Sequence, residues 1–359
     1  MGQSSRRSGT LLDPWIRRFL LFAVVVSSVL SLCAVRVWCR LVPPPYMIDV
    51  RELGEKSPLV FRGHVSMVNL VGESPPESIE RNAVATFQVD RWYRGKARAE
   101  ASLHFVYGGT RINGHNCINF QLDTDWIVFA DEKEGSLELI DDCIGALAVS
   151  PLLGADLGNA DWLAQMEAVF LAGLGDSNSA ARVISIQRLG GLKLPSSRSA
   201  LHHVIEEGNK EESKWVIYAA LRTGDVTVLP RVKELLAAGD HGEPESAMAL
   251  ELRTVTDPRA VLDLLAILNS APGDLTRTCV LIALGEKLKD PRAVPSLAAH
   301  LSDPDGSARY DALDGLKNIT HEEACTLPPT WEEPDVEPQV LQCKLWWEHE
   351  GKFRTWTQE

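Results

Sequence analysis

Cysteines offer the most chemistry in this chain, and their spacing sorts them into groups. Cys33 and Cys39 lie in or beside an N-terminal apolar run. Cys117 and Cys143 sit close together in a strand-like stretch, Cys325 and Cys343 in the C-terminal tail, and Cys279 alone on an apolar helical pattern. In an oxidising compartment, two local pairs and one buried thiol are a consistent arrangement. That makes Cys117, Cys143, Cys325 and Cys343 the candidate disulfide residues, with a fully reduced chain as the alternative.

The remaining reactive types do not form a recognisable catalytic or ligand frame. His202 and His203 are adjacent, so a helix points them to different faces, one packed and one solvated, and they cannot share a metal. His104, His115, Asp123 and Asp125 could meet on one rim but lack a His-x-x-x-His or Cys-x-x-Cys frame. His321-Glu322-Glu323 lacks the second histidine of a zincin helix. There is no Gly-x-Ser-x-Gly elbow and no phosphate-cradling Gly-x-x-x-x-Gly-Lys loop. Cys279, between Thr278 and Val280, reads as core packing. Asn318-Ile319-Thr320 fits a glycosylation acceptor, a triplet common by chance. The expectation is a protein without catalytic, cofactor-binding or metal residues, and not an enzyme.

Charge narrows the partners. The net charge is −13. Arg6, Arg7, Arg17, Arg18, Arg36 and Arg40 face only Asp13 in the first 40 residues, so the body is more acidic than the whole. Such a body is a poor nucleic-acid binder and is repelled by anionic lipid. Glu206, Glu207, Glu211, Glu212, Glu243 and Glu245 concentrate acid near helical turns. They form either a solvated face or an attraction for a basic protein partner. Phe19 to Val35 is apolar behind four arginines, which reads as a signal peptide or an uncleaved membrane anchor over residues 1–40. Either sends the rest out of the cytoplasm, to the periplasm or the extracellular space, with membrane contact only through this segment.

The elements that must position these residues change character along the chain. Pro43 to Pro45 form a stiff spacer. Residues 47–56 suit one short helix. Strand texture follows at 59–68, 83–92, 101–107, 126–130 and 136–140, five short strands that suit a small closed barrel within a domain at 41–150. After Pro151 the apolar period becomes 3.6. Helices expected near 179–191, 211–223, 243–254, 274–288 and 305–318 alternate with helices near 197–207, 226–238, 257–269 and 290–301. Asp257-Pro258-Arg259-Ala260-Val261 returns as Asp290-Pro291-Arg292-Ala293-Val294, the mark of a repeat array over 151–320. Asp225, Asp257 and Asp290 are candidate caps for the second helix of each pair. The tail at 321–359, rich in proline and carrying Trp331, Trp346, Trp347 and Trp356, reads as a cap held by Cys325–Cys343. An exposed aromatic patch is the alternative there.

Two resemblances follow. Leu281 through Leu297, continuing through Leu301-Ser302-Asp303-Pro304-Asp305 to Ala308-Arg309 and Ala312, resembles HEAT repeats of the kind found in phycobilisome-lyase-like proteins. That resemblance implies a right-handed α-solenoid used for protein contacts, and no lyase chemistry follows from it. Val60 to Val65, Phe87 to Gly95, Cys117 to Phe120, Trp126 to Ala130 and Asp142 to Gly145 look like the netrin-like module of tissue inhibitors of metalloproteinases, which implies an OB-type antiparallel barrel. Members of that family often start with Cys-x-Cys, whose cysteines pair with two like Cys117 and Cys143. Here only Cys39 is available, so Cys117 bonds Cys143 or Cys39 takes one of them. Protease inhibition would need a mature chain beginning at Cys39, after the bulky Trp38. The fold class expected is multidomain α and β, a barrel followed by helical hairpins. The function expected is a non-catalytic scaffold or adaptor at the cell envelope. The alternatives are a metalloprotease inhibitor and an unrecognised enzyme.

Overall fold

A computed structural model describes residues 47–72, 81–107, 118–141, 144–158, 160–207, 210–237, 242–270, 273–327 and 333–357. The segment 1–40, His115, Cys117 and Cys143 lie outside the described residues. Everything described belongs to one compact unit. It contains an N-terminal five-stranded closed β-barrel and twelve α-helices.

The barrel is built from β1 (Leu59–Leu70), β2 (Arg81–Arg94), β3 (Glu100–Tyr107), β4 (Asp125–Lys133) and β5 (Ser136–Leu139). The pairing runs β1-β2-β3-β5-β4 and closes through β1 with β4; β3 and β5 are parallel and the other pairs antiparallel. Closure gives each of the five strands a partner on both sides, although β3 meets β5 only through Leu103 and His104. A sixth strand, β6 (Ala146–Ala148), adds to the outer side of β4. Along β3 the inward Ala101, Leu103 and Phe105 alternate with outward Ser102 and His104, the period-2 signature of a half-buried strand. Phe61, Phe87, Phe105 and Phe120 fill the interior, with Phe87 and Phe105 edge-on to Phe120 at 5.1 and 4.9 Å.

β1 and β4 behave differently. Val60, Ile127 and Phe129 point out of the barrel and are fully buried against the helical half, while Phe61, Val128 and Ala130 point in. Burial on both faces explains why Ile127 to Ala130 is a continuous apolar run rather than an alternating one. The outward residues join Met166 and Phe170 of α2 (Trp162–Gly173) and Ile186 and Leu189 of α3 (Ser179–Leu192) in one core that continues to the C-terminus. Ahead of the barrel, α1 (Val50–Lys56) is capped by Asp49, whose carboxylate accepts from the Glu52 amide at 2.9 Å, and it packs on α3.

The remaining helices alternate. α3, α5 (Lys210–Arg222), α7 (Glu243–Leu252), α9 (Asp274–Ile282) and α11 (Gly306–Thr320) each contact the next of that series. Between them run α4 (Arg198–Glu207), α6 (Leu229–Leu236), α8 (Val261–Leu268) and α10 (Val294–His300), each entered through a 3-10 turn. Asp225, Asp257 and Asp290 cap the turns before α6, α8 and α10, accepting from the amides of Thr227, Arg259 and Arg292. Pro258 and Pro291 follow two of these caps, where no amide is needed. α9 continues as a π-helical turn, Ala283–Leu288, and there the series is tightest. A Cβ on Gly285 would lie 2.3 Å from the Gly315 Cα, so only glycine fits. α12 (Glu333–His349) packs on α11. It is tied by a disulfide from Cys343 to Cys325 in the preceding 3-10 turn. Among the described residues no helix is long and apolar enough to cross a membrane.

Candidate functional site

The helical series carries a row of inter-helix ion pairs. Arg182 near the start of α3 donates to Glu212 of α5 at 2.5 Å, and Lys214 of α5 reaches Glu245 of α7 at 3.0 Å. Arg309 of α11 reaches Glu337 of α12 at 2.6 Å. Arg277 of α9 holds Asp303, in the turn before α11, at 2.9 Å. Each cation sits in the first turns of its helix because the next helix begins beside it. Ser246 stands at the equivalent point of α7, where the chain has no cation. Glu212 and Asp303 are nearly buried. Such pairs fix register more than they add net stability, because desolvation offsets much of the attraction.

This row accounts for Glu212 and Glu245 among the six acidic residues prominent in the sequence, whereas Glu211 reaches Lys214 only within α5 and stays exposed. Glu212 is buried against Arg182 and Ser179, and Glu211 and Glu245 both bridge Lys214. Glu206 and Glu243 remain exposed. The Glu207 side chain lies outside the described residues. The acidic face is therefore patchier than its composition suggests.

A second line follows the caps. Arg259 and Arg292 fold back on Asp257 and Asp290 at 2.6 and 2.7 Å. The bond from Arg259 holds the Asp257 carboxyl below its usual range, and Arg292 does the same for Asp290. His202 reaches Asp225 at 2.6 Å. Both His202 and His203 face solvent, which corrects the expectation of one packed and one solvated ring; a helix this near the surface exposes two neighbouring positions.

Arginines bind the irregular parts to the body. Arg62, almost completely buried in β1, donates to the carbonyls of Ser150 and Leu152, both at 2.9 Å. Arg91 donates to the Ala155 carbonyl at 3.2 Å. These bonds pin the connector between barrel and helices and satisfy carbonyls that a loop cannot pair internally. Arg222 of α5 donates to the carbonyls of Met47 and Ile48, each at 3.2 Å, and lies 3.5 Å from Glu251 of α7. Beside it, burial and then the neighbouring Arg222 charge pull the Arg188 guanidinium down to about 10. Tyr93, also buried, is pushed up to about 12 by desolvation.

The polar residues expected on one barrel rim separate. Asp123 and Asp125 come together around His64, each 3.5 Å from one of its ring nitrogens. His104 sits on β3 opposite Val84 and Glu138, a strand that does not pair with β4. Among the described residues, no three His, Cys, Asp or Glu side chains are grouped to hold a metal. His64 went unnoticed in the sequence because its neighbours depend on β1 pairing with β4, which sets it opposite Asp125. His321 ends α11 in the left-handed region and Glu322 binds Arg354, so neither faces a common centre. Cys279 is buried on α9. Asn318 lies on α11 and bonds the Asp314 carboxyl, a helical setting unlike the loop a glycosylation acceptor needs. In the tail, Trp346 packs between Trp347 and Trp356 and is mostly buried, whereas Phe353 is exposed.

No protein-family model matches the chain, and no curated protein matches it significantly.

Proposed function

We propose that this protein is a non-catalytic scaffold or adaptor for protein–protein contacts, exported to the cell envelope. Its helical half is read as a HEAT-like α-solenoid and its barrel as a netrin-like OB module. The observation that carries this reading is the ordered packing of α3, α5, α7, α9 and α11 over one continuous core. The barrel's strand order, with its parallel β3–β5 pair, supports the OB-type reading. The Cys325–Cys343 bond supports an oxidising compartment. The partner this surface suits is basic, drawn to Glu206, Glu211 and Glu243 where they remain exposed.

The test uses the full chain as bait in envelope extracts of its own cell, beside a variant carrying Glu206→Lys, Glu211→Lys and Glu243→Lys. A defined protein retained by the native chain, lost with the variant and weakened by salt supports the reading. Retention that ignores both the charge reversal and the salt refutes the charged face. Multiple turnover of any substrate by the purified chain refutes the non-catalytic role.

A further inference from the structure

Where the π-helical turn meets α11, two backbones touch. A Cβ on Gly285 would lie 2.3 Å from the Gly315 Cα, and one on Gly315 would lie 3.0 Å from the Gly285 Cα. Side chains are excluded from the crossing itself and gather at its margin. Glu286 follows Gly285 and Asp314 precedes Gly315, and their carboxyls come within hydrogen-bonding reach of each other. A bond between two carboxyls requires a hydrogen on one of them, since two carboxylates only accept. Asn318, one turn along α11, bonds the Asp314 carboxyl as well. A π-helical turn is rare and frequently falls at a functional position.

On the π-helical turn, Lys287 lies 3.7 Å from Glu286, and Lys289 acts on Asp314 through its charge. On α11, Asp311 has partners of its own. α10 brings Leu297 to the crossing, 3.1 Å from a Cβ built on Gly315. Charged groups of α9 and α12 are held toward the start of α11, Arg277 by Asp274 and Asp303, and Glu337 by Arg309.

We propose that Glu286 and Asp314 hold one hydrogen between them and form a pH-sensitive latch across the α9–α11 crossing. With the hydrogen in place, one carboxyl O–H donates to the other carboxylate and ties the turn to α11, a charge-assisted bond of the strong kind. Without it, two like charges face each other across backbones already in contact, and the turn opens locally. Burial and then Glu286 hold the Asp314 carboxyl above its ordinary value, against Asn318 and Lys289. The latch is therefore complete below the ordinary carboxylate range and is lost as pH rises through the folded value. Two such groups titrate as a pair, so the hydrogen belongs to both. The latch needs no partner and stands apart from the scaffold role.

Hydrogen exchange of the full chain in mild non-ionic detergent, read by mass spectrometry from acid to neutral pH, tests this. After correction for the intrinsic pH dependence of exchange, Ala283–Leu288 and residues 311–318 should lose protection by a few-fold toward neutral pH. The Gly190–Ala219 crossing, flanked by Leu189, Gly191, Tyr218 and Ala220, should not. Asp314→Asn should hold the turn at its acid level of protection throughout, since the amide donates to Glu286 at every pH. Glu286→Gln should do the same from the other helix, and it serves if the first variant misfolds. Corrected protection in the native chain that stays flat overturns the proposal, as does a pH dependence that survives both substitutions. So does a profile that shifts with millimolar calcium, which would make the pair a cation site.

Discussion

In the barrel, Phe61 faces Val128 across a strand pair and meets Phe87 at 5.5 Å, partners brought together from distant parts of the chain. In the helical half, Gly190 lies against Ala219 and Gly285 against Gly315, partners one hairpin apart. The barrel closes only when every strand is present, whereas the helical series extends by adding similar units to a finished neighbour. β1 and β4 belong to both schemes, with Phe61 and Val128 on one side and Val60, Ile127 and Phe129 on the other. The interface between the halves is thus made from the barrel's own strands.

The sharpest way to break this comparison is a matched pair of truncations. Phe87→Ala and Phe129→Ala should each cost about 3–5 kcal/mol, since both rings are fully buried. Phe87→Ala should melt the barrel first and leave a second, helical transition in calorimetry. Phe129→Ala should lower both halves in a single transition. One transition for both variants would mean that the halves are not separable.

Cys343→Ser should cost about 2–4 kcal/mol and act locally. Hydrogen exchange should accelerate in α11 and α12 and stay unchanged in β1 to β5. Faster exchange in the barrel would show that the far end of the helical series supports it.

Glu212→Gln removes the buried partner of Arg182 and should cost about 2–3 kcal/mol. Arg259→Ala breaks an exposed pair and should change melting by under about 1 kcal/mol. Equal effects would remove the distinction between the inter-helix row and the cap line.

The smallest effect is expected at Asp314 on α11, whose carboxyl is pushed up by burial and then by Glu286 on the π-helical turn; Asn318 and Lys289 oppose the shift. A raised folded-state value means the ionised form is the less stable one. The native chain is favoured below the unfolded value and loses that advantage as pH rises through the folded one. Asp314→Asn should therefore raise melting slightly at neutral pH, by less than about 1 kcal/mol after solvent screening, and the gain should vanish on acidification. A gain that persists in acid would point to packing instead of charge.

The helical pairs were legible because their apolar period, their Asp caps and the repeated Asp-Pro-Arg-Ala-Val are local features. The five barrel strands were legible for the same reason, although β6, three residues long, left no pattern. The clamps made by Arg62 and Arg222 were not legible. A guanidinium donating to a backbone carbonyl far away in the chain leaves no trace in side-chain type or spacing. The row of cations at Arg182, Lys214, Arg277 and Arg309 left a faint one, since each falls in the first turns of its helix. The tail's prolines obscured the helix of α12. Pro334 lies in its first turn, where a missing amide costs nothing, but Pro338 lies inside the helix and removes a backbone bond, so the proline-free run from Val340 to Trp347 carries the rest.

One consequence of the Arg222 clamp concerns mechanics. Its guanidinium grips the backbone at Met47 and Ile48, so tension arriving along the chain at that point is shunted into α5 before it can reach β1. A pull on the amino-terminal side would load two hydrogen bonds and a helix in shear, and the barrel would be spared from unzipping strand by strand.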